Sequence, residues 1–222
     1  MSPVSYIPGR MSMGFVVTPT PRDREAAKLE TRQALVEAGL AEFAERGLDT
    51  PSLDAICARA GFTRGAFYVH FRDREHFLES VMEKVFESFL DAILATGHGA
   101  HDLEETVVRF AALLAGAGKK ASRPAALAID LHRVLDACAR SPQLKKRFVA
   151  LLSGGAARVT EAIERGQRAG SVRGDVDARA LGQLLAMLAL GVVTALDTGV
   201  PIDFDGARDA ALRLLAPSSP RG

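Results

Sequence analysis

The side chains whose types and spacing could do chemistry crowd into one stretch, SLDAICARAGFTRGAFYVHFRDREHFL from Ser52 to Leu78. Its first half reads as a short helix burying Leu53, Ile56 and Cys57. The helix breaks at Ala60-Gly61-Phe62, where glycine supplies a backbone bend that a Cβ resists. Thr63 stands as the N-cap of a second short helix reaching about Phe71. Two short helices joined by a glycine turn are the parts of a helix-turn-helix, whose second helix lies in a DNA major groove. Phe62, Phe67 and Phe71 anchor that helix from behind, leaving Arg64, Gly65, Ala66, Tyr68, Val69 and His70 on its outer face. Arg64 is the candidate for base readout, because its fork matches O6 and N7 of guanine. Val69 suits a thymine methyl. Thr63, Tyr68, His70 and Arg74 suit phosphate oxygens, which position a protein without specifying sequence. The bland alternative is an ordinary exposed face of a small helical domain.

Whole-chain charge argues against a nucleic-acid partner. The 28 Lys and Arg and 27 Asp and Glu leave a net charge of +1 over 222 residues, which forecasts no basic surface overall. Any positive patch has to be local. Between residues 59 and 74, four Arg (59, 64, 72 and 74) face one acid, Asp73, whereas residues 22–79 hold 9 basic and 11 acidic side chains. A composition of 48% hydrophobic and 25% charged residues excludes a wholly disordered chain. Two cysteines, Cys57 and Cys138, build neither a disulfide framework nor a four-cysteine zinc site, which points to a reducing compartment. The longest apolar run, residues 181–196, is shorter than the roughly 20 residues that span a bilayer. No secretory-signal pattern opens the chain. A cytoplasmic location without a membrane partner is expected.

The candidate residues need a scaffold, and the periodicity supplies one. Residues 1–21, with Pro3, Pro8 and Pro19, read as an arm, and Met11 and Met13 leave open a shorter natural start. Leu35, Val36, Gly39, Leu40 and Phe43 share one stripe of a helix that starts at Arg22 and closes at Gly47. Asp73 caps a fourth helix, Arg74 to about Ala95, closed by Gly97-His98-Gly99. Further helices are expected at about 102–117, 122–140, 142–169, 177–198 and 204–216, with Pro124 and Pro142 in first turns. No alternating run suggests a strand. The expected fold is all-α with about nine helices: an arm (1–21), a three-helix helix-turn-helix domain (22–75), a C-terminal helical domain (76–217) and a tail (218–222).

The run GLDTPSLDAICARAGFTRGAFYVHFRDREHFL, with LVEAGLAEFAERG upstream, resembles the DNA-binding domain of TetR-type transcriptional regulators. The matching features are AGFTRGAFY, the Tyr68-Val69-His70-Phe71 series and the acid after Arg74. ERGQRAGSVRGDVDARALGQLL resembles the junction between the seventh and eighth helices of such proteins. Three departures stand out: Pro51 where Thr is usual, Arg74 where Lys is usual, and Gly39 where Ala is usual. The glycine costs about 1 kcal/mol in helix propensity. The resemblance implies a repressor that binds a palindromic DNA operator as an Ω-shaped homodimer. It further implies a C-terminal ligand-binding and dimerisation domain from which a small, largely apolar effector releases the DNA.

Within that domain, Phe86, Phe89, Phe110 and Phe148 are candidates to line a ligand pocket, with His132 as a polar member among Leu127, Ile129, Leu131 and Leu135. The alternative for each is plain core. The small-residue run around Gly182, Leu185, Ala186, Ala189 and Val193, with Leu212 on the amphipathic tail helix, suits a four-helix dimer interface. His98, His101 and Asp102 have the outline of a metal site, but the intervening glycines read as a loop, and neither metal nor cofactor is expected. No nucleophile motif, phosphate-cradling loop or paired carboxylates point to an enzyme. The rival readings are a helical enzyme or ligand carrier that does not act on DNA, and a regulator controlled without a small ligand, by a partner protein.

Overall fold

A computed structural model of the chain describes residues 21–94, 103–117, 127 and 129–217. Among them the chain forms α1 (Pro21–Arg46), α2 (Leu53–Ala60), α3 (Arg64–His70), α4 (Arg74–Leu94), α5 (Leu103–Ala117), α6 (Leu131–Arg140), α7 (Pro142–Ala169), α8 (Ala178–Thr198) and α9 (Phe204–Leu215), and no strand. The fold is all-α, as the periodicity predicts. The expected arm, the Gly97-His98-Gly99 closure, the His98, His101 and Asp102 group, Pro124 and the tail lie outside the described residues.

Helix ends fall where capping side chains dictate. Gly47 and Gly61 close α1 and α2 at φ +84° and +75°, in the left-handed region that suits glycine. The Asp73 carboxylate accepts the His76 N–H at 2.7 Å to open α4. Ser141 accepts the Leu144 N–H at 3.1 Å ahead of Pro142 in the first turn of α7. One boundary departs from expectation: α6 begins at Leu131, not near 122. Asp130 is extended, and the Leu131 N–H donates to the Asp197 carboxylate of α8. That partner is distant in sequence, so no local pattern announces it.

The N-terminal core gathers Leu35, Phe43, Ile56, Phe67, Phe71 and Phe77, each no more than 1% exposed. It continues into Ile129, Ala137, Cys138 and Leu144. Packing is therefore continuous across the boundary expected at 75/76, with Phe77 and Val81 of α4 in the same cluster. Gly39 finds its reason here: the Phe77 ring lies over α1, with Cε1 2.7 Å from where a Cβ on residue 39 would sit. A polar seam reinforces the junction. Ser141 donates to Glu75, Gln143 to Glu79, and Arg147 pairs with Glu83, three acids spaced four apart on α4. Arg140 Nη2 reaches both Asp49 oxygens, at 3.0 and 2.9 Å, in the α1–α2 loop.

α8 is the most apolar long helix, 21 residues with a mean hydropathy of 1.8 over its most apolar window, and is long enough by composition to cross a membrane. It exceeds the 16-residue run visible in the sequence because Arg179 and Asp197 fall near its ends. One side packs on α7, where a Cβ on Gly182 would collide with the Thr160 side chain and come within 3.2 Å of its Cα. Gly182→Ala should therefore lower the stability of the chain by about 1–3 kcal/mol through forced separation of the helices. Gly154→Ala, facing open space on α7, should raise it by about 0.5–1 kcal/mol through helix entropy. Urea denaturation of both variants checks the pair, and equal effects would refute close packing at Gly182.

Candidate nucleic-acid interface and effector cavity

The helix-turn-helix is assembled from local hydrogen bonds and one aromatic cluster. Ser52 Oγ accepts the Ala55 N–H at 3.1 Å to cap α2. Thr63 Oγ1 accepts the Ala66 N–H at 3.3 Å to cap α3, which leaves its hydroxyl proton to donate outward. A helix of seven residues is too short to persist alone. It holds because Phe67 and Phe71 are buried against Phe77, with ring centroids 4.9–5.1 Å apart. Phe62 is half-buried behind them. This fixes the opposite face outward: Tyr68 is 52% and Val69 66% exposed, beside the exposed Arg64 and Gly65, with Ala66 and His70 half-buried.

Electrostatics sort the basic residues differently from their order in the sequence. Arg59 pairs with Glu42 at 3.2 Å and Glu45 at 2.6 Å, so α1 neutralises it. Arg74 is turned inward, a correction to its expected phosphate role. Its Nη1 donates to the Pro51 carbonyl at 2.6 Å and its Nη2 to the Leu48 carbonyl at 2.7 Å, with the guanidinium over the Phe43 ring. Both carbonyls lie in the loop between α1 and α2, outside any helical ladder, and a fork of donors meets two at once. Arg64 stays exposed, its Nε only 3.4 Å from an equally exposed Asp54. Such a pair is worth little and opens easily.

Lys28 and Arg32 of α1 are residues that sequence reasoning missed. Burial, and then their two positive charges, push the His70 ring below its ordinary pKa, which favours the neutral imidazole. Arg24, Lys28 and Arg32 recur every fourth residue and share one face of α1, a signal that was available in the sequence. Arg32 also stacks over Phe71, 5.3 Å from its centroid, and donates to Ser80 at 2.8 Å. Cys57 and Cys138 are buried, and burial pushes both thiols up, away from the reactive thiolate.

Below the reading head, a cavity of about 320 Å³ opens between α4, α5, α7, α8 and α9. Phe86, Phe89, Phe110 and Phe148 all line it, as proposed from sequence, with Phe89 and Phe110 edge to face at 6.1 Å. His132 does not. Leu131 and Val134 turn inward from α6, and the helical period carries His132 to the exposed side. Among the described residues, only Thr106 and Arg208 bring polar side-chain atoms to the wall, and no cluster of three potential metal ligands occurs.

Of the residues expected at a dimer interface, most are half-buried within the chain itself. Gly182 is buried against α7, and Leu185, Ala186, Ala189 and Val193 line the cavity. Leu212 is half-buried on α9. The most exposed apolar side chains here are instead Leu184 (63% exposed), Met187 (53%) and Leu188 (55%), the last of which also lines the cavity, with Leu214 (67%) on α9.

The fold and this face define an all-α protein with an N-terminal helix-turn-helix. Residues 35–81 match the family described as "Bacterial regulatory proteins, tetR family". The chain is 39% identical over 61 residues to the uncharacterized HTH-type transcriptional regulator TtgW of Pseudomonas putida, covering 28% of this chain and 46% of that protein. The matched segment thus spans less than half of that relative. Among solved structures, the SmeT–triclosan complex is 25% identical with a TM-score of 0.64, covering 84% of this chain and 91% of that one. Regulatory protein TetR from Rhodobacter sphaeroides has a TM-score of 0.62 at 19% identity, covering 84% and 99%. The tetR family match is thus confined to residues 35–81, and the whole chain shares the fold of these solved structures.

Arg74→Ala should destabilise the reading head by about 1.5–3 kcal/mol, since two charge-assisted hydrogen bonds to backbone carbonyls are lost. Chemical denaturation measures this without DNA. An unchanged midpoint would return Arg74 to a purely external role.

Proposed function

We propose that this chain is a transcriptional regulator, a repressor that binds a palindromic operator as a homodimer and is released by a small, largely apolar molecule. The observation that carries the reading is that one helix, α4, joins an outward-facing recognition helix to a sizeable apolar cavity. At its start Phe77 supports α3, and further along Phe86 and Phe89 line the cavity wall. The names of similar proteins point the same way. SmeT is described as the repressor of a Stenotrophomonas maltophilia multidrug efflux pump and has been solved with triclosan.

On this reading α3 enters the major groove, where Arg64 takes a guanine edge and Val69 touches a thymine methyl, flanked by Thr63, Tyr68 and His70 on phosphates. Gly65 and Ala66 leave room for close approach. Lys28 adds a phosphate contact from α1. Two copies meeting through the outward apolar face of α8 and α9 would set two recognition helices about 34 Å apart, one turn of DNA. Burial in a dimer answers the exposure of Leu184, Met187 and Leu188. The location is cytoplasmic, and no catalysis is invoked.

Release works by population shift: an effector that prefers one spacing of the two heads lowers operator affinity by its differential binding to the two states. The polar seam from α7 to Glu75, Glu79 and Glu83, and the Arg140–Asp49 pair, make the cavity walls and the head move together. A regulator without a small ligand would have a filled core, and the open cavity favours the ligand-controlled reading over it.

Selection from a randomised duplex pool, followed by gel-shift titration, tests the reading. A palindromic consensus is expected, and failure to enrich any sequence would overturn it. On the selected site, Arg64→Ala should cost about 1–3 kcal/mol and relax preference at one position per half-site. Unchanged preference would remove Arg64 from base readout. Leu184→Asp should convert the dimer to monomer in sedimentation runs and weaken operator binding by more than about tenfold, because the half-sites then bind independently. A variant that remains dimeric would place the interface elsewhere.

A further inference from the structure

We infer that Asp54 sets the base preference of the recognition helix by holding the Arg64 guanidinium, so that Arg64 meets the groove with a fixed edge. Asp54 is a positioning residue that acts through Arg64, and the inference rests on the proposed function, in which Arg64 reads a guanine.

Arg64 is the first residue of α3 and Asp54 the second of α2. The backbone is fixed close to both: Ser52 caps α2, Gly61 turns the chain in the left-handed region, and Thr63 caps α3. Within α3 itself Arg64 has little to lean on. The residues after it are Gly65 and Ala66, and Tyr68, one turn on, stands edge to face with Phe67 at 5.4 Å. The support comes from α2, where Asp54 Oδ1 lies 3.4 Å from Arg64 Nε. A carboxylate on the Nε side leaves the Nη1–Nη2 end of the guanidinium, a fork that fits O6 and N7 of guanine.

The helix ends favour this pairing. A cation on the first residue of a helix sits at the positive end of the helix dipole, and no acid occupies the first turn of α3. Asp54 is the acid in the first turn of α2, at a helix end that suits an anion. The pair crosses between the two helices and offsets the cation at the start of α3. Its side chains are 56% and 68% exposed, so in water the attraction is weak. Docking on DNA excludes that water. At the effective dielectric of a protein surface the same attraction is about four times that in bulk water, so the hold tightens when the groove covers it.

A carboxylate in this place also carries a penalty. Phosphates repel it, and in the major groove it can accept only from the amino groups of cytosine and adenine. Asp54 therefore weakens binding to duplex of any sequence, and Arg64 compensates in full only where guanine meets its fork. Discrimination then comes from repulsion at wrong sites as well as attraction at the right one.

The test uses the full chain, the selected operator and a random-sequence duplex at one fixed salt concentration. Competition gel shifts compare every single-base substitution of a half-site for the parent, Asp54→Ala, Arg64→Ala and the double variant. Asp54→Ala is expected to reduce guanine preference about tenfold at the position where Arg64→Ala abolishes it, and at no other. In the Arg64→Ala background the same change should add nothing there, because a positioning residue acts through what it positions. Random duplex should bind Asp54→Ala about two- to fivefold tighter, as one negative charge leaves the interface. The urea midpoint should stay at the parent value, since the pair is exposed. If alanine lowers it, Asp54→Asn, which keeps the shape without the charge, replaces it with the same directions expected.

Unchanged guanine preference in the Asp54 variant overturns the inference. So does a loss at a different base pair, which would make Asp54 a direct reader, or an equal effect with and without Arg64. A uniform loss across all positions, with a lowered midpoint in both variants, overturns it in favour of a structural role. In each of these cases operator binding and the regulatory reading stand. If Arg64→Ala leaves every preference intact, the readout by Arg64 and the inference fail together while the operator stands. If no duplex is enriched, the proposed function fails first.

Discussion

The contact of Phe77 with Phe67 and Phe71 is the constraint on which the rest of this structure depends. A recognition helix of seven residues has no stability of its own, so its direction is set by whatever its buried face rests upon. Here that support is the first turn of α4. Phe77 meets both rings of the recognition helix and reaches α1 only because residue 39 is glycine. The local loss in helix propensity at Gly39 is therefore offset by aromatic packing at the centre of the head. Arg74, one turn earlier, holds the loop carbonyls of Leu48 and Pro51 in the same assembly.

Because α4 continues past this contact, one element both supports α3 and walls the cavity. Close-packed cores transmit displacement instead of absorbing it. A shift at Phe86 or Phe89 would be felt at Phe77, and the acid ladder of Glu75, Glu79 and Glu83 extends that coupling to α7. α6 joins the circuit at both ends. Asp197 of α8 fixes its first N–H, and Arg140 in its last turn reaches Asp49 in the head. The cavity is thus bounded by helices that are individually tied to the reading head or to the outward apolar face.

α8 explains why that outward face was harder to read than the head. It is apolar nearly all round, with Leu185, Ala186 and Ala189 toward the cavity, Leu184 and Met187 away from it, and Leu188 both exposed and lining it. A helix that must bury one side within its own chain and present another has no polar stripe, so hydrophobic period carries no phase information. Small residues at Gly182 and Ala186 indicate close approach but not the partner, and the partner at Gly182 is α7 of the same chain. His132 failed for a related reason. An imidazole among leucines can face either side of a helix whose starting residue is set by a distant carboxylate.

By itself the sequence determined the elements and the outward face of α3, because caps, glycine turns and helical periodicity act over three or four residues. Ser52, Gly61, Thr63 and Asp73 specify where α2, α3 and α4 begin or end, and Phe67 and Phe71 specify which face of α3 turns out. Tertiary structure alone decided the fate of the long charged side chains and the phase of the apolar helix. Arg59, Arg64 and Arg74 look alike in sequence, yet Glu42 and Glu45 neutralise one, backbone carbonyls capture another, and only Arg64 stays outward. A flexible guanidinium goes to whichever acceptors folding brings within reach, and those acceptors come from α1 and its loop, remote in sequence and adjacent only once the chain has packed.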